Sequence, residues 1–511
     1  MFSKAFSAAV SGIDGIIVSV EADVSDGLPL FDLVGYLGSE VREARERVRI
    51  SLKNSGFRLP PKRITINLSP ADMRKEGTAF DLPIAVSILT AFGYIPQENL
   101  EETMIIGEVS LNGDIKKVNG VLPIVYTALK QGFTRCIVPE SNAREGAVVQ
   151  GIDVFGFETL QDVVRFLNNE NYRDPTYINM EEILNQQDNI EELDFSDVTG
   201  QIAAKRAIEI AVSGMHNLLM VGPPGSGKTM LAKRIPTIMP ELSFEESLEI
   251  SKIYSVSGLL NNKDSLISKR PFRSPHHTIT SAALTGGGRM PMPGEISLAH
   301  LGVLFLDEFP EFNRNTIEIL RQPLEENEIT ISRLQGTYRY PCDFMLIAAM
   351  NPCSCGFYPD RNKCNCSINQ VKRYLGKISK PLLDRIDISI ECLQVNYKDL
   401  EARKLSETSS DIRKRVRIAR DIQSNRYKNE KFYFNSQLTP KTISKYCKLE
   451  KEEYKILEDA FLKMDLSARA YHRILKVART IADLDQSEII TKKHLCEAIC
   501  YRSLDKKYWE E

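Results

Sequence analysis

Leu218-Leu219-Met220-Val221-Gly222-Pro223-Pro224-Gly225-Ser226-Gly227-Lys228-Thr229 is the stretch that decides the fold of this chain. An apolar run leads into a glycine-rich turn, and an apolar helical pattern begins directly after Thr229. This order of strand, loop and helix is the one that a phosphate-binding loop requires. Glycines let backbone N–H groups surround a polyphosphate without Cβ clashes, and a helix N-terminus adds positive charge. The stretch therefore predicts a P-loop rather than a glycine-rich turn that arose by chance.

The P-loop indicates ATP and Mg²⁺ as cofactors. In such loops the lysine reaches the β- and γ-phosphates, and the hydroxyl that follows it binds Mg²⁺. These roles fall to Lys228 and Thr229. The residues expected to bind the nucleotide are Gly222, Pro223, Pro224, Gly225, Ser226, Gly227, Lys228 and Thr229.

The composition is typical of a soluble protein with several domains. The chain has 511 residues, of which 42% are hydrophobic and 26% charged, and this length suits about two to four domains. No apolar run is long enough to span a membrane, and the N-terminus lacks the apolar core of a signal peptide, so we expect a cytoplasmic protein. The formal net charge of −2 neither favours nor excludes a nucleic-acid partner.

A second landmark is the apolar run Val303–Leu306, which is followed by Asp307 and Glu308. We expect a buried strand with two carboxylates at its carboxyl end. Asp307 would hold Mg²⁺, and Glu308 would polarise the attacking water. An Asp-Glu pair after an apolar strand is common by chance, but behind a P-loop it indicates ATP hydrolysis.

Two further positions complete a pattern of hydrolytic residues. The apolar run Phe344–Met350 ends in Asn351, which matches the sensor-1 position of AAA+ ATPases. Arg385 matches their arginine finger, which is supplied by a neighbouring subunit and neutralises charge on the transferred phosphoryl group. Taken alone, Arg385 would be interpreted as an ordinary ion-paired arginine. The order Lys228, Asp307, Asn351, Arg385 favours the finger.

Longer motifs resemble two known kinds of domain. Those that resemble the Mg-chelatase-like AAA+ ATPases are Asp197–Gln201, Pro271–His277, Gly286–Gly288 and Pro293–His300. Those that resemble the Lon-protease-like, ribosomal S5-type domain are Ser69–Pro83 and Leu111–Gly120. Nearly the whole chain is similar to the YifB/ComM family. The resemblance implies an α/β multidomain protein with a Lon/ribosomal S5-like α+β domain, a P-loop AAA+ parallel-sheet domain and a C-terminal helical lid.

The expected domains are a Lon-like domain at 1–168, an acidic linker at 169–194, an AAA+ domain at 195–395 and a helical lid at 396–511. Active Lon proteases use a Ser–Lys dyad, and an ungapped match puts Ala79 and Leu122 at those two positions. A serine nucleophile needs an adjacent base. We therefore expect this domain to serve in assembly or substrate contact and not in proteolysis.

The family resemblance also implies a DNA-dependent function. It implies a ring-shaped ATPase, with a homohexamer as the expected ring, and ComM-type members are branch-migration helicases that support natural transformation. Branched or duplex DNA is the expected partner. A β-hairpin around Gly336 would project toward the pore, where Arg333, Tyr338, Arg339 and Tyr340 would meet phosphates and bases. A merely solvated hairpin is the alternative.

Three other features of the sequence are candidates for contact with ATP, DNA or the pore. Arg469 matches the sensor-2 arginine, which would touch ATP from above, and Arg473 would share that role. The arginine-rich face of the helix predicted over 411–425 would bind DNA or lie in solvent. His276 and His277 are assigned to an insert or to pore contacts, because ATP hydrolysis by this site needs no imidazole.

Four cysteines lie close together in the sequence, as Cys353, Cys355, Cys364 and Cys366. Two close pairs of cysteines across a loop can supply four thiolates to one tetrahedral Zn²⁺, although one residue within each pair is fewer than the usual two. Disulfides are not expected in a reducing cytoplasm. A structural Zn²⁺ is the preferred interpretation, and four free thiols are the alternative.

Three rival functions remain open on the sequence alone. The first is the ATPase subunit of a magnesium chelatase, which the Lon-like domain disfavours because that subunit begins at its AAA+ module. The second is an ATP-dependent protease, which Ala79 disfavours. The third is a ring that remodels proteins and does not bind DNA.

Overall fold

A computed structural model describes residues 1–179, 193–261, 265–288, 291–333, 336–394, 407–430, 432–464 and 466–509. The acidic centre of the predicted linker and the predicted boundary at 395/396 lie outside these residues. None of the helices in these ranges has the length and hydropathy that a membrane-spanning segment needs.

The N-terminal part is built on a mixed sheet with strand order β3-β4-β2-β1-β5-β8-β9. Alternate residues of its second strand, from Val18 to Val24, are buried, as the period of two in a half-buried strand requires. Its strands are β1 (Phe2–Ser11), β2 (Asp14–Ser25), β3 (Leu30–Val34), β4 (Arg63–Ser69), β5 (Thr103–Ile105), β8 (Arg135–Pro139) and β9 (Asp153–Phe157), and β6 (Glu108–Val109) pairs with β7 (Ile115–Lys116) beside it.

Helices α1 (Ser39–Asn54), α2 (Asp81–Ala91), α3 (Val121–Lys130), α4 (Glu140–Gly146) and α5 (Leu160–Leu167) complete this part. Helix α2 is buried on all sides, which suits its apolar composition. The carboxylate of Asp81, at its N-terminus, accepts two hydrogen bonds from the guanidinium of Arg47 in α1, at 2.8 and 2.9 Å. This buried ion pair holds α1 against α2.

The central part is a sheet of parallel strands in the order β11-β14-β17-β10-β18. These strands are β10 (Leu218–Val221), β11 (Phe272–Arg273), β14 (Val303–Leu306), β17 (Met345–Met350) and β18 (Ile388–Glu391). Every residue of β10, β14 and β17 is buried, as expected for parallel strands covered on both faces. In such a sheet the loops that follow the strands all lie at one edge, here called the carboxyl edge.

The remaining elements of the central part surround this sheet. The hairpins are β12 (Gly286–Gly287) with β13 (Met292–Pro293), and β15 (Glu328–Arg333) with β16 (Gly336–Pro341). The helices are α6 (Ile202–Gly214), α7 (Lys228–Arg234), α8 (Phe244–Val256), α9 (Ser281–Thr285), α10 (Glu295–Leu298), α11 (Arg314–Glu318), α12 (Pro323–Glu326), α13 (Ile368–Leu375) and α14 (Lys380–Leu383).

The C-terminal part is helical, with α15 (Ser409–Arg426), α16 (Pro440–Tyr446), α17 (Lys451–Lys463), α18 (Ala468–Leu484), α19 (Lys492–Cys500) and α20 (Ser503–Trp509). Several arginines of α15 are bound within the chain. Arg413 donates to the carbonyl of Thr237 at 2.7 Å, and Arg415 donates to Glu209 at 2.5 Å. Much of the basic face that the sequence suggested for DNA is therefore engaged in packing. The predicted mixed α/β architecture, with a parallel sheet and a helical C-terminus, is confirmed.

Candidate active site

The P-loop joins β10 to α7 at the carboxyl edge of the central sheet. A Cβ at Gly222 would lie 2.3 Å from the carbonyl oxygen of Cys392, so only glycine fits beside the end of β18. Gly225 and Gly227 have φ of +75° and +84°, and no atom lies within 4 Å of a Cβ placed there. This open, left-handed loop has room for phosphates against its backbone.

The ammonium group of Lys228 lies inside this loop. It donates to the carbonyls of Gly222 at 2.8 Å and Pro223 at 2.9 Å, and burial lowers its pKa. It also lies 3.3 Å from Oδ1 of Asn351, at the end of the neighbouring strand β17. The structure thus brings the P-loop lysine and the predicted sensor asparagine together.

Oxygen ligands suited to Mg²⁺ converge beside the lysine. The hydroxyl of Thr229 donates to Oδ2 of Asp307 at 2.6 Å, although the two residues are 78 positions apart. A hydroxyl and a carboxylate are ligands that Mg²⁺ prefers. The residues present therefore fit a magnesium-bound polyphosphate.

Gln201 is a site residue that sequence reasoning did not single out. Its side-chain amide donates to the carbonyl of Ser226 at 2.9 Å and to that of Leu393 at 2.5 Å. It thereby ties the P-loop to the chain that follows β18. The motif Asp197–Gln201 was the available signal, but nothing in its composition shows which side chain reaches the loop.

His277 is a second residue at this edge that sequence reasoning did not place there; its assignment to an insert or to pore contacts stays a prediction. It follows β11, which pairs with β14, so its ring lies at the carboxyl edge beside Glu308. Nδ1 of His277 lies 3.3 Å from Oε2 of Glu308, and the ring of His276 packs against it with centroids 4.1 Å apart. The backbone of Glu308 is left-handed, with φ of +51°. One oxygen of the predicted catalytic carboxylate is therefore engaged by an imidazole.

Arg385 lies at the opposite, amino edge of the sheet. Its carbonyl accepts a hydrogen bond of 2.9 Å from the side chain of Asn217, which immediately precedes β10. The P-loop follows the other end of β10, and a strand of this length spans about 13 Å. The guanidinium is 7% exposed and forms an ion pair with Glu325. Arg385 is thus remote from the P-loop of the same chain.

A basic cavity surrounds Arg385 at this amino edge. The cavity has a volume of about 460 Å³, and its cationic lining comprises Arg385, Arg469, Arg473 and Lys476. Although burial opposes ionisation, Arg473 and His216 hold the pKa of Asp387, in the same wall, well below its usual range. The described residues that line the cavity include none from the P-loop.

The structure places Arg469 at the same edge of the sheet as Arg385. Helix α18 packs its N-terminal turns at the amino edge, where Nη1 of Arg473 lies 3.5 Å from Oδ1 of Asp387. Arg469, one turn earlier, is exposed at the mouth of the basic cavity. Neither arginine is therefore placed to touch ATP in its own subunit from above.

The hairpin β15–β16 has two unlike faces because side chains alternate along each strand. Tyr338 and Tyr340 lie directly opposite Ile331 and Ile329 on the packed face. Tyr340 is 1% exposed, and its hydroxyl donates to the carbonyl of Pro291 at 2.6 Å. Tyr340 is therefore too buried to contact DNA in this conformation, whereas Tyr338 is partly exposed and its contact with DNA stays a prediction.

The arginines of the hairpin remain accessible. Arg333 and Arg339 are both exposed, and Nε of Arg339 lies 3.7 Å from Oε1 of Glu328. The backbone of the hairpin also meets the N-terminal sheet, since a Cβ at Gly12 would lie 2.8 Å from the carbonyl oxygen of Arg339. The Gly12 turn thus rests directly on β16.

The packed face of the hairpin forms one wall of a cavity of about 510 Å³. Ala79, at the position of the Lon nucleophile, lines the opposite wall in the N-terminal part. Leu122, at the position of the lysine in the Lon dyad, is buried in the core. The cavity that contains Ala79 is therefore lined by residues of both the N-terminal part and the hairpin.

The four clustered cysteines meet in space, with all four Sγ atoms within 4.8 Å of one another. Although burial opposes ionisation, hydrogen bonds from the N–H of Phe357 and from the other thiols lower the pKa of Cys355 to about 6. The cluster begins two residues after Asn351. It therefore lies in the loop that follows β17.

Comparison with known proteins gives matches along almost the entire chain. Family profiles described as "Magnesium chelatase, subunit ChlI", "Subunit ChlI of Mg-chelatase" and "Magnesium chelatase, subunit ChlI C-terminal" match residues 194–400, 20–142 and 406–502. A shorter match, 32% identical over 112 residues, covers 22% of this chain and 24% of the DNA repair protein RadA of Halalkalibacterium halodurans.

Two relatives match over nearly their full length. The chain is 43% identical over 503 residues to the competence protein ComM of Haemophilus influenzae, covering 98% of this chain and 97% of the relative. It is 42% identical over 506 residues to the protein YifB of Escherichia coli, covering 98% and 96%. The chain therefore belongs to the YifB/ComM family of Mg-chelatase-like AAA+ proteins, which implies ATP and Mg²⁺ as its cofactors.

Proposed function

We propose that this protein is an ATP-hydrolysing ring motor that acts on DNA, as a branch-migration helicase of the ComM type in the cytoplasm. The observation that carries the proposal is the full-length identity of 43% to a competence protein, together with the convergence of P-loop, Asp307 and Asn351 at one sheet edge. The proposed division is a Lon-like domain at 1–168, a linker at 169–194, an AAA+ domain at 195–395 and a lid at 396–511.

Hydrolysis follows from the chemistry of the carboxyl edge. Lys228 and the P-loop N–H groups bind phosphate oxygens, Thr229 and Asp307 hold Mg²⁺, and Asn351 orients water near the γ-phosphate. Mg²⁺ supplies neutralisation of charge on the phosphates. Glu308 accepts a hydrogen bond from the attacking water and polarises it. Each of these roles uses a side chain that already lies at the edge.

Assembly follows from the separation of the two edges. A ring in which subunits repeat head to tail brings the amino edge of one subunit to the carboxyl edge of the next. The basic cavity, with Arg385 and Arg469, then faces the γ-phosphate of a neighbour, and a homohexamer is the proposed ring. In this arrangement Glu325 must release Arg385 as the ring closes.

DNA contact is assigned to the exposed face of the hairpin. Arg333 and Arg339 supply positive charge that phosphates attract without reading sequence. The profile over residues 20–142 also carries a chelatase description, so the N-terminal part does not by itself separate a DNA motor from a chelatase subunit. A rise in ATPase activity that requires a porphyrin and a partner subunit would favour the chelatase.

The direct test is ATP-dependent migration of a synthetic four-way DNA junction. We expect migration by the wild-type protein and none by Lys228→Ala, because that variant cannot hold the nucleotide phosphates. Binding should be measured at low salt, where phosphate contacts are strongest. Absence of DNA binding in every nucleotide state would contradict the proposal and leave a chelatase-like or protein-remodelling role.

A second prediction concerns His277, whose imidazole contacts a carboxylate oxygen of Glu308 that would otherwise be free to polarise water. Contacts between exposed side chains are worth about 0.2–1 kcal/mol even where both groups are charged, so His277→Ala should raise the DNA-independent ATPase rate by up to about fivefold. The factor by which DNA stimulates the ATPase rate should fall correspondingly. The matched control is His276→Ala, which removes the neighbouring ring. A lower basal rate in His277→Ala would show instead that the imidazole holds Glu308 in its productive orientation.

The metal proposed for the cysteine cluster is Zn²⁺.

A further inference from the structure

The cysteine cluster has the dimensions of a tetrathiolate site. Sγ of Cys353 lies 3.3 Å from that of Cys355 and 3.8 Å from that of Cys364, and Cys355 and Cys364 are 3.6 Å apart. A tetrahedral Zn²⁺ with Zn–S bonds of about 2.3 Å sets its sulfurs about 3.8 Å apart. A disulfide would require about 2.05 Å. The spacing therefore suits a shared metal and not a covalent bond.

The loop is folded so that backbone donors point at sulfur. Sγ of Cys353 accepts hydrogen bonds from the N–H groups of Gly356 at 3.2 Å and Tyr358 at 3.4 Å. Arg361 donates to the carbonyl of Cys366 at 2.9 Å, which ties the loop between the two cysteine pairs to the second pair. Such donors orient ligand atoms and stabilise their negative charge.

The same loop touches the P-loop. A Cβ at Gly356 would lie 2.5 Å from Cδ of Pro224, so only glycine permits this approach. The first cysteine is separated from Asn351 by a single residue, and Asn351 contacts Lys228. On its outer side, the ring of Tyr358 packs near Tyr508 of α20. One short loop therefore links the sensor asparagine, the P-loop and the C-terminal helix.

We propose that Cys353, Cys355, Cys364 and Cys366 bind one Zn²⁺ per chain. This ion holds the loop from Asn351 to Cys366 against the P-loop. Binding releases the thiol protons to solvent and involves no oxidation, because the ligands are thiolates. Metal binding follows from the cluster alone. The effect of the metal on ATP hydrolysis rests on the proposed function.

The first test is the metal content of the full-length protein, purified without chelators and measured by elemental mass spectrometry. We expect one Zn²⁺ per wild-type chain and loss of the metal in the double variant Cys364→Ser/Cys366→Ser. The matched control is Cys496→Ser/Cys500→Ser, which removes two exposed cysteines of α19 and should leave the metal in place. Replacement by Co²⁺ should produce the visible absorption of a tetrahedral thiolate complex.

The results distinguish metal binding from the effect of the metal on the P-loop. A folded wild-type chain that contains no zinc and does not take up Co²⁺ overturns it, and so does a double variant that keeps its metal. Circular dichroism establishes whether the variant is folded. Metal can also be withdrawn from the wild type with a chelator that prefers Zn²⁺ over Mg²⁺.

The second readout is nucleotide affinity. We expect withdrawal of zinc to weaken ATP binding and addition of Zn²⁺ to restore it. Unchanged ATP binding after complete withdrawal would overturn the bracing role while leaving the metal site. A protein that holds zinc but does not migrate junctions would contradict the proposed DNA function and leave the metal site intact.

Discussion

Replacement of Arg385 by alanine is expected to lower the ATPase rate of the assembled protein by about 10³-fold or more, the range over which an arginine finger acts. The guanidinium would otherwise neutralise charge on the phosphoryl group of a neighbouring subunit. Arg385→Lys should recover little, because an ammonium lacks the planar fork of donors. The measurement is steady-state hydrolysis at saturating ATP, and the control is Arg373→Ala on the exposed side of α13.

Mixing of subunits distinguishes a finger from a structural arginine. Arg385→Ala subunits keep an intact P-loop, and Lys228→Ala subunits keep an intact finger. In randomly mixed rings about a quarter of interfaces combine the two intact parts, so the mixture should hydrolyse ATP although neither variant does so alone. Recovery also demonstrates that Arg385→Ala is folded. Absence of recovery, with mixed rings demonstrated, would contradict action between subunits.

The second large effect is expected for Glu308→Gln. The amide cannot accept a proton from water as a carboxylate does, so hydrolysis should fall by about 10²–10⁴-fold, the usual contribution of a general base. Binding of ATP should persist because Lys228, Thr229 and Asp307 are unchanged. Single-turnover kinetics and equilibrium binding of a labelled nucleotide measure the two quantities separately.

The control for this prediction is Glu311→Gln, which makes the same change one turn further along the chain. Glu311 pairs with Lys377 at 3.2 Å and does not reach the P-loop edge in the described contacts. Its rate should match that of the wild type. Turnover by Glu308→Gln at the wild-type rate would remove Glu308 from the catalytic role.

The sequence predicted those parts of the site that depend on local order along the chain. A strand that ends in a glycine-rich turn before a helix can form a P-loop almost regardless of the surrounding fold. The same holds for Asp307 and Asn351, because each follows a buried strand, and parallel strands bring their carboxyl ends to one edge. The hydrogen bond between Thr229 and Asp307 is a consequence of that rule.

The sequence did not predict the packing between distant segments. The motif of Arg469 identifies the start of α18 but not the edge of the sheet on which the helix packs. His277 was missed because its neighbour Glu308 is brought close only by the pairing of β11 with β14. The burial of Tyr340 could have been predicted, because its pairing with Ile329 places it on an apolar face of the hairpin.

The contact of Gly12 with β16 has a mechanical consequence. Strand β16 continues through Cys342 into β17, and the end of β17 carries Asn351 beside Lys228. The N-terminal sheet therefore contacts one end of a continuous segment of chain, and the proposed nucleotide site lies at the other end. In the proposed hydrolytic cycle, we therefore expect a displacement of Asn351 to be transmitted through β17 and β16 to the N-terminal sheet.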